Sequence, residues 1–133
     1  MNPVTYTVSI TAQAHRWGRE IDKNLVASHR TFDPSLNPSL IRVITHNHQH
    51  GGGPLFLNGL MQGTVSRRFI RVVIEVMKGS LSNERKSDLL KSAAAACLEY
   101  EGKYAQACEV EVVVRELEAG DVLLTGGLVG RRW

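Results

Sequence analysis

Two strand–helix–strand patterns in tandem constrain this chain more than any other feature of it. Val4, Tyr6, Val8 and Ile10 alternate with Thr5, Thr7 and Ser9, a period of two that fits a pleated strand. Trp17, Ile21, Leu25, Ser28 and Phe32 then recur at helical spacing, with Arg19, Asp22, Lys23 and Arg30 mostly off that stripe. Asp33-Pro34 and Asn37-Pro38 end this helix, because the residue before a proline disfavours helical backbone. Residues 40–45 read as a second strand, and Gly51-Gly52-Gly53-Pro54 opens a loop that runs to Phe56-Leu57-Asn58-Gly59.

The pattern then repeats. Residues 69–77 read as a strand with Ile70, Val72, Ile74 and Val76 on one face, stopped by Lys78-Gly79. Ser80 or Ser82 is placed to cap a second helix, whose early Glu84 suits the positive end of the helix dipole. Leu90, Ala93, Ala94, Cys97 and Leu98 offer a narrow face of mostly small residues for close packing on a sheet. Val110, Val112 and Val114 alternate with Glu111, Val113 and Arg115 in a fourth strand, and Gly120, Gly126, Gly127 and Gly130 punctuate a tail expected to form a hairpin.

The expected fold is α+β: one domain over residues 1–133, made of a first β-α-β unit at about 3–59 and a second at about 68–130. Each crossover is long enough for parallel pairing and should be right-handed. A chain of 133 residues has room for one core. The result is a four-stranded mixed sheet with two helices on one face. The other face, carrying Val73 and Val113, is left for partner subunits.

Composition narrows the function classes. The net charge of +3 comes from scattered basic residues, with pairs only at Arg67-Arg68 and Arg131-Arg132, and aromatics are 6%. A nucleic-acid surface combines a basic stripe with stacking aromatics, so no nucleic-acid partner is expected. A few arginines converging on a small anionic ligand fit the charge equally well. No apolar run approaches the roughly 20 residues of a membrane helix, and no basic segment leads into an apolar one at the N-terminus. Cys97 and Cys108 have no metal-type spacing and imply no oxidising compartment. A cytoplasmic protein without membrane contacts is expected.

Several residues stand out as candidates. Pro3 suits a strand start, where no ladder donor is needed. His29 lies one position off the apolar stripe, either as a locally satisfied histidine or as part of a site. Arg42 sits in an otherwise apolar strand and needs an anionic partner, whether a ligand carboxylate or a protein carboxylate such as Glu75 or Glu116. Arg71 and Glu75 alternate along the third strand, as a cross-strand network or as part of a site. His46, His48 and His50 would project the same way from an extended segment, with a spacing that can bring two imidazoles to one Zn or Ni ion. No carboxylate or cysteine completes that set locally, so the run reads as a polar loop, and neither metal nor cofactor is expected. The three glycines do not follow the dinucleotide fingerprint, and no nucleophile elbow is present.

These residues together resemble the tautomerase superfamily: a proline-led strand, two β-α-β units and a Gly-rich loop after the second strand. Residues 37–45, Asn37-Pro38-Ser39-Leu40-Ile41-Arg42-Val43-Ile44-Thr45, look like the second strand of 4-oxalocrotonate tautomerase, which carries a substrate-binding arginine; Arg42 takes that place. Phe56 lies near that family's active-site phenylalanine. The double length resembles the fused cis-3-chloroacrylic acid dehalogenase branch. There Ala27-Ser28-His29-Arg30 resembles a helix end with a catalytic-site histidine, and Phe56-Leu57-Asn58-Gly59 with Gln62-Gly63 resembles the loop that follows.

The resemblance implies an isomerase or tautomerase, in some relatives a dehalogenase or hydratase, that works without a cofactor. An amino-terminal proline would be the acid or base, arginines would bind a carboxylate-bearing keto, enol or unsaturated acid, and the chains would assemble as a homotrimer or hexamer-like form. The site it implies has Pro3 and His29 as catalytic residues, with Arg42, Phe56, Arg71 and Glu116 around the substrate. Two departures qualify it. Met1-Asn2 precede Pro3, and an internal proline nitrogen is an amide without a basic lone pair. Met77-Lys78-Gly79-Ser80 stands where the dehalogenase branch has paired arginines, and Val113 and Leu124 align with its later tyrosine and carboxylate. The same chain is therefore open to a second reading, a catalytically silent oligomer or ligand-binding module on this fold.

Overall fold

Strand β1 (Val4–Ile10) is central to the sheet and joins the two halves of the protein. In this computed structural model, residues 3–10, 18–47, 56–57, 60–61, 68–102 and 108–122 are described. Helix α1 (Gly18–Phe32) follows β1, then a short 3₁₀ turn at Pro38–Leu40 and strand β2 (Ile41–Asn47). Strands β3 (Phe56–Leu57) and β4 (Leu60–Met61) form a two-stranded pair. Strand β5 (Arg68–Met77), helix α2 (Asn83–Glu101) and strand β6 (Cys108–Leu117) make the second unit, followed by a 3₁₀ turn at Ala119–Asp121.

The sheet order is β2-β1-β5-β6. Within each unit the strands are parallel, Tyr6 opposite Val43 and Val72 opposite Val112, and the units meet antiparallel with Tyr6 opposite Ile74. The expected four-stranded mixed sheet and two helices are thus borne out. Both helices pack on the face made by Val4, Tyr6, Val8, Ile10, Ile70, Val72, Ile74 and Val76. Ile21 and Leu25 from α1, and Leu89, Ala93, Ala96 and Cys97 from α2, close the core over it. Each fully buried aliphatic side chain there contributes about 1.5–3 kcal/mol of hydrophobic stabilisation.

Local chemistry explains the element ends. Asn37 accepts from the Ser39 amide and Pro38 opens the 3₁₀ turn, so Leu40 belongs to the turn and β2 starts one residue later than the alternation suggests. Ser82, rather than Ser80, caps α2 by accepting from the Arg85 amide. Gly79 turns the chain after β5 at φ +84°, a conformation that glycine adopts without Cβ strain. The buried stripe of α2 runs through Leu89, Ala93, Ala96 and Cys97, while Leu90, Ala94 and Leu98 are only half-buried. The helix is rotated toward α1, whose Asn24 amide and Ser28 hydroxyl donate to the Ala96 and Ser92 carbonyls. Small residues permit that approach.

The opposite face carries three rows across the four strands. Arg42, Thr5, Glu75 and Arg115 form one, Ile44, Thr7, Val73 and Val113 the next, and His46, Ser9, Arg71 and Glu111 the third. Ile44 is 49% exposed in the apolar row. Trp17, His48, His50, the Gly51-Gly52-Gly53-Pro54 loop, Asn58-Gly59, Gln62-Gly63 and tail glycines 126, 127 and 130 lie outside the described residues, as does the expected tail hairpin. Among the described residues, no helix is long and apolar enough to cross a membrane, and no group of His, Cys, Asp and Glu side chains is placed to hold a metal ion.

Candidate active site

Pro3 enters β1 at the end of the sheet where β5 leaves it, and it is buried. The last turn of α1 lies over that end because Ile21, Leu25 and His29 share the buried stripe of the helix. Between them is a cavity of about 270 Å³, bordered by Pro3, His29, Phe32, Asp33, Met77 and Ser80 among others. Pro3 and His29, far apart in the chain, are therefore brought to one cavity.

His29 is 2% exposed. Its Nδ1 lies 2.6 Å from the hydroxyl of Tyr6, with the two rings edge-on at 5.6 Å, and the Phe32 ring is tilted against the imidazole at 5.5 Å. Burial lowers the imidazole's pKa, an effect partly opposed by the negative charge of Asp33. Burial, and secondarily the neighbouring Cys97, raises the Tyr6 phenol far above its usual value. Asp33 Oδ1 accepts from Ser35 Oγ at 2.7 Å. The cavity thus combines an apolar wall, a histidine whose charged form is disfavoured, a carboxylate and the start of β1.

The other candidates stand elsewhere. Arg42 is exposed on the opposite face of the sheet, and its Nη2 donates to Thr5 Oγ1 at 2.8 Å. It is one strand from Pro3, yet the pleat turns it away from the cavity. Glu116 is on β6, at the other edge of the sheet from β2, so it does not meet Arg42. It accepts from Lys86 Nζ at 2.6 Å and from the Gly79 amide at 3.3 Å, and these bonds, Lys86 first, lower its pKa. Arg71 donates to its register partner Glu111 at 2.6 Å, and Arg115 faces Glu75 at 3.9 Å, both as cross-strand pairs. Phe56 lies in β3 opposite Met61. His46 ends the third row of the open face.

Sequence reasoning did not single out Tyr6, Phe32 or Asp33 as site residues. Tyr6 carried one usable signal: a phenol on the core face of a strand needs a buried hydrogen-bond partner.

No protein-family model matches the chain, and no curated protein matches it. Solved structures do. A wild-type fused 4-OT, a symmetric trimer, is similar at 18% identity over 96% of this chain and 99% of that chain, with a TM-score of 0.64. A 5-carboxymethyl-2-hydroxymuconate isomerase from Deinococcus radiodurans R1 is similar at 14% identity over 93% and 90%, with a TM-score of 0.69. A member of the cis-3-chloroacrylic acid dehalogenase family is similar at 21% identity over 93% and 82%, with a TM-score of 0.64. The strand order, the paired crossovers and this full-length likeness establish that the chain has the tautomerase-superfamily fold in its two-unit form.

Proposed function

We propose that this chain is a tautomerase-superfamily isomerase acting on a small carboxylate-bearing keto, enol or unsaturated acid, and that its two units work as one domain. The convergence of Pro3 and His29 on one cavity of about 270 Å³ carries this reading. Solved structures of the same fold include an isomerase and a member of a dehalogenase family, which supports it. Such chemistry needs a tuned group where a proton moves and a donor where enolate charge develops. Pro3 takes the first role once Met1 and Asn2 are removed, since only a free secondary amine has the lone pair. His29 takes the second.

Arg42 serves the ligand carboxylate from a neighbouring copy, because in its own chain it faces away from the cavity. This fits self-association through the open sheet face as a homotrimer or hexamer-like assembly, and a fused 4-OT of the same fold is a trimer. Phe56 would wall the completed pocket. Arg71 and Glu116, held by Glu111 and Lys86, would serve it by fixing the sheet and the turn at residues 78–80. A cytoplasmic location fits such a small-molecule enzyme.

Intact mass of the native protein, together with α-proton exchange in phenylpyruvate, tests the reading. A mature chain beginning at Pro3, with exchange abolished by Arg42→Ala and melting unchanged, is the expected result. The second reading, a silent ligand-binding or structural oligomer, is favoured by the amide at Pro3 and by Lys78-Gly79-Ser80 in place of paired arginines. It requires a mass that retains Asn2, no exchange, and an Arg42→Ala variant that changes stability alone.

A further inference from the structure

The Tyr6–His29 contact bears on which proton the cavity histidine presents. Tyr6 is 1% exposed, and its hydroxyl reaches Nδ1 of His29 at 2.6 Å. His29 borders the cavity, whereas Tyr6 does not. The imidazole therefore has Nδ1 engaged inside the core while its ring forms part of the cavity wall.

We infer that Tyr6 is a positioning residue: it donates its phenolic proton to Nδ1 and holds His29 as the neutral Nε2–H tautomer, a hydrogen-bond donor to a ligand carbonyl or carboxylate oxygen. A neutral imidazole carries one N–H, so an accepting Nδ1 leaves the proton on Nε2. The reverse assignment, Nδ1–H donating to the phenol, requires another acceptor for the phenolic hydrogen. Cys97 of α2, whose thiol acts electrostatically on the phenol, is a weaker acceptor than an imidazole nitrogen.

Burial disfavours the charged form of both partners: it raises the phenol and lowers the histidine. Asp33, at the end of α1, pulls the histidine the other way, and burial outweighs it. Protonating Nδ1 would also oblige the phenol to accept and its hydrogen to find another partner. His29 is thus built to stabilise charge on a ligand oxygen, as a neutral electrophile does, and not to take up a proton.

This assignment rests on the cavity being the ligand site, and two measurements separate the claims. Nitrogen-15 NMR of the full chain at pH 7.5 should show His29 as the Nε2–H tautomer in at least about tenfold excess, with that preference lost in Tyr6→Phe. A wild-type spectrum showing Nδ1–H or imidazolium overturns the inference whether or not the protein is active. In phenylpyruvate turnover, His29→Gln, whose amide can sit where Nε2 was, should lose less than about tenfold in kcat/KM, while His29→Asn loses about 10²-fold or more. Equal losses in the two variants also overturn it. The expected tautomer in a protein that turns over no phenylpyruvate supports the Tyr6 assignment and counts against the proposed isomerase activity.

Discussion

The phenolic oxygen of Tyr6 lies 2.6 Å from Nδ1 of His29, tying β1 to the last turn of α1 through two side chains that are both almost completely buried. A bond in that setting matters mainly through what its loss leaves behind. Tyr6→Phe keeps the ring and its packing but strips the donor from a buried nitrogen. The expected cost is about 1–3 kcal/mol of folding stability, the penalty for an unpaired buried polar group. Urea denaturation of the two proteins reads this as a lower midpoint with unchanged slope; an unchanged midpoint would show that the bond contributes nothing.

The same histidine sets a pH dependence. Its folded-state pKa lies below the unfolded value of about 6.5, because burial disfavours the charged ring. The unfolded chain therefore binds the extra proton first as pH drops. Stability should be full above about pH 6.5 and decline as pH falls through the lowered folded value. Thermal melts of wild type and His29→Gln across pH 5 to 8 isolate this group, since the variant retains the other titrating residues. The difference between the two curves should narrow on acidification, and a constant offset would contradict the assignment.

The helix pair depends on small side chains. Ala93 is 1% exposed in the core stripe of α2, on the helix whose Ala96 and Ser92 carbonyls receive Asn24 and Ser28. Ala93→Leu adds three carbons where little space exists and should cost about 1–3 kcal/mol by overpacking. Measured stability equal to wild type would mean that the core around Ala93 has room for the larger side chain.

Assembly is tested on the open face. Ile44 is half exposed beside Thr7, Val73 and Val113, an apolar row flanked by two polar ones. Ile44→Asp places a charge in that row and should dissociate the proposed homotrimer to a lower-mass species in sedimentation velocity, with little loss of secondary structure, since burying an unpaired carboxylate at an interface is costly. An oligomer unaffected by the substitution places the interface elsewhere.

Much of the architecture was legible from local patterns. The alternation from Val4 to Ile10 and from Ile70 to Val76 identified both central strands and the face each buries. Asp33-Pro34 marked the end of α1, whereas Asn37-Pro38, read as a second stop of that helix, opens the 3₁₀ turn before β2. The phase of α2 was less legible, because Leu89 and Leu90 are equally apolar and only contact with α1 chooses between them. Pro3 and His29 were visible as candidates. Phe32 and Asp33 were visible only as a stripe member and a helix stop. Tyr6 looked like one more strand residue, since nothing local indicates which group its hydroxyl meets 23 positions away.

By itself the sequence determined the four main strands, the two helices and their order, because periodicity, proline and capping act over a few residues; the short β3–β4 pair lies where the pattern read as a loop. It also placed a proline at the head of β1 and a histidine near the end of α1. Only the tertiary structure decided that these two share a cavity, through the crossover that carries α1 back over the sheet. It also decided that Arg42, paired in register with Thr5, faces the other way. A one-residue change in register would exchange the two faces of β2, and that register is set by the whole buried sheet rather than by β2 alone.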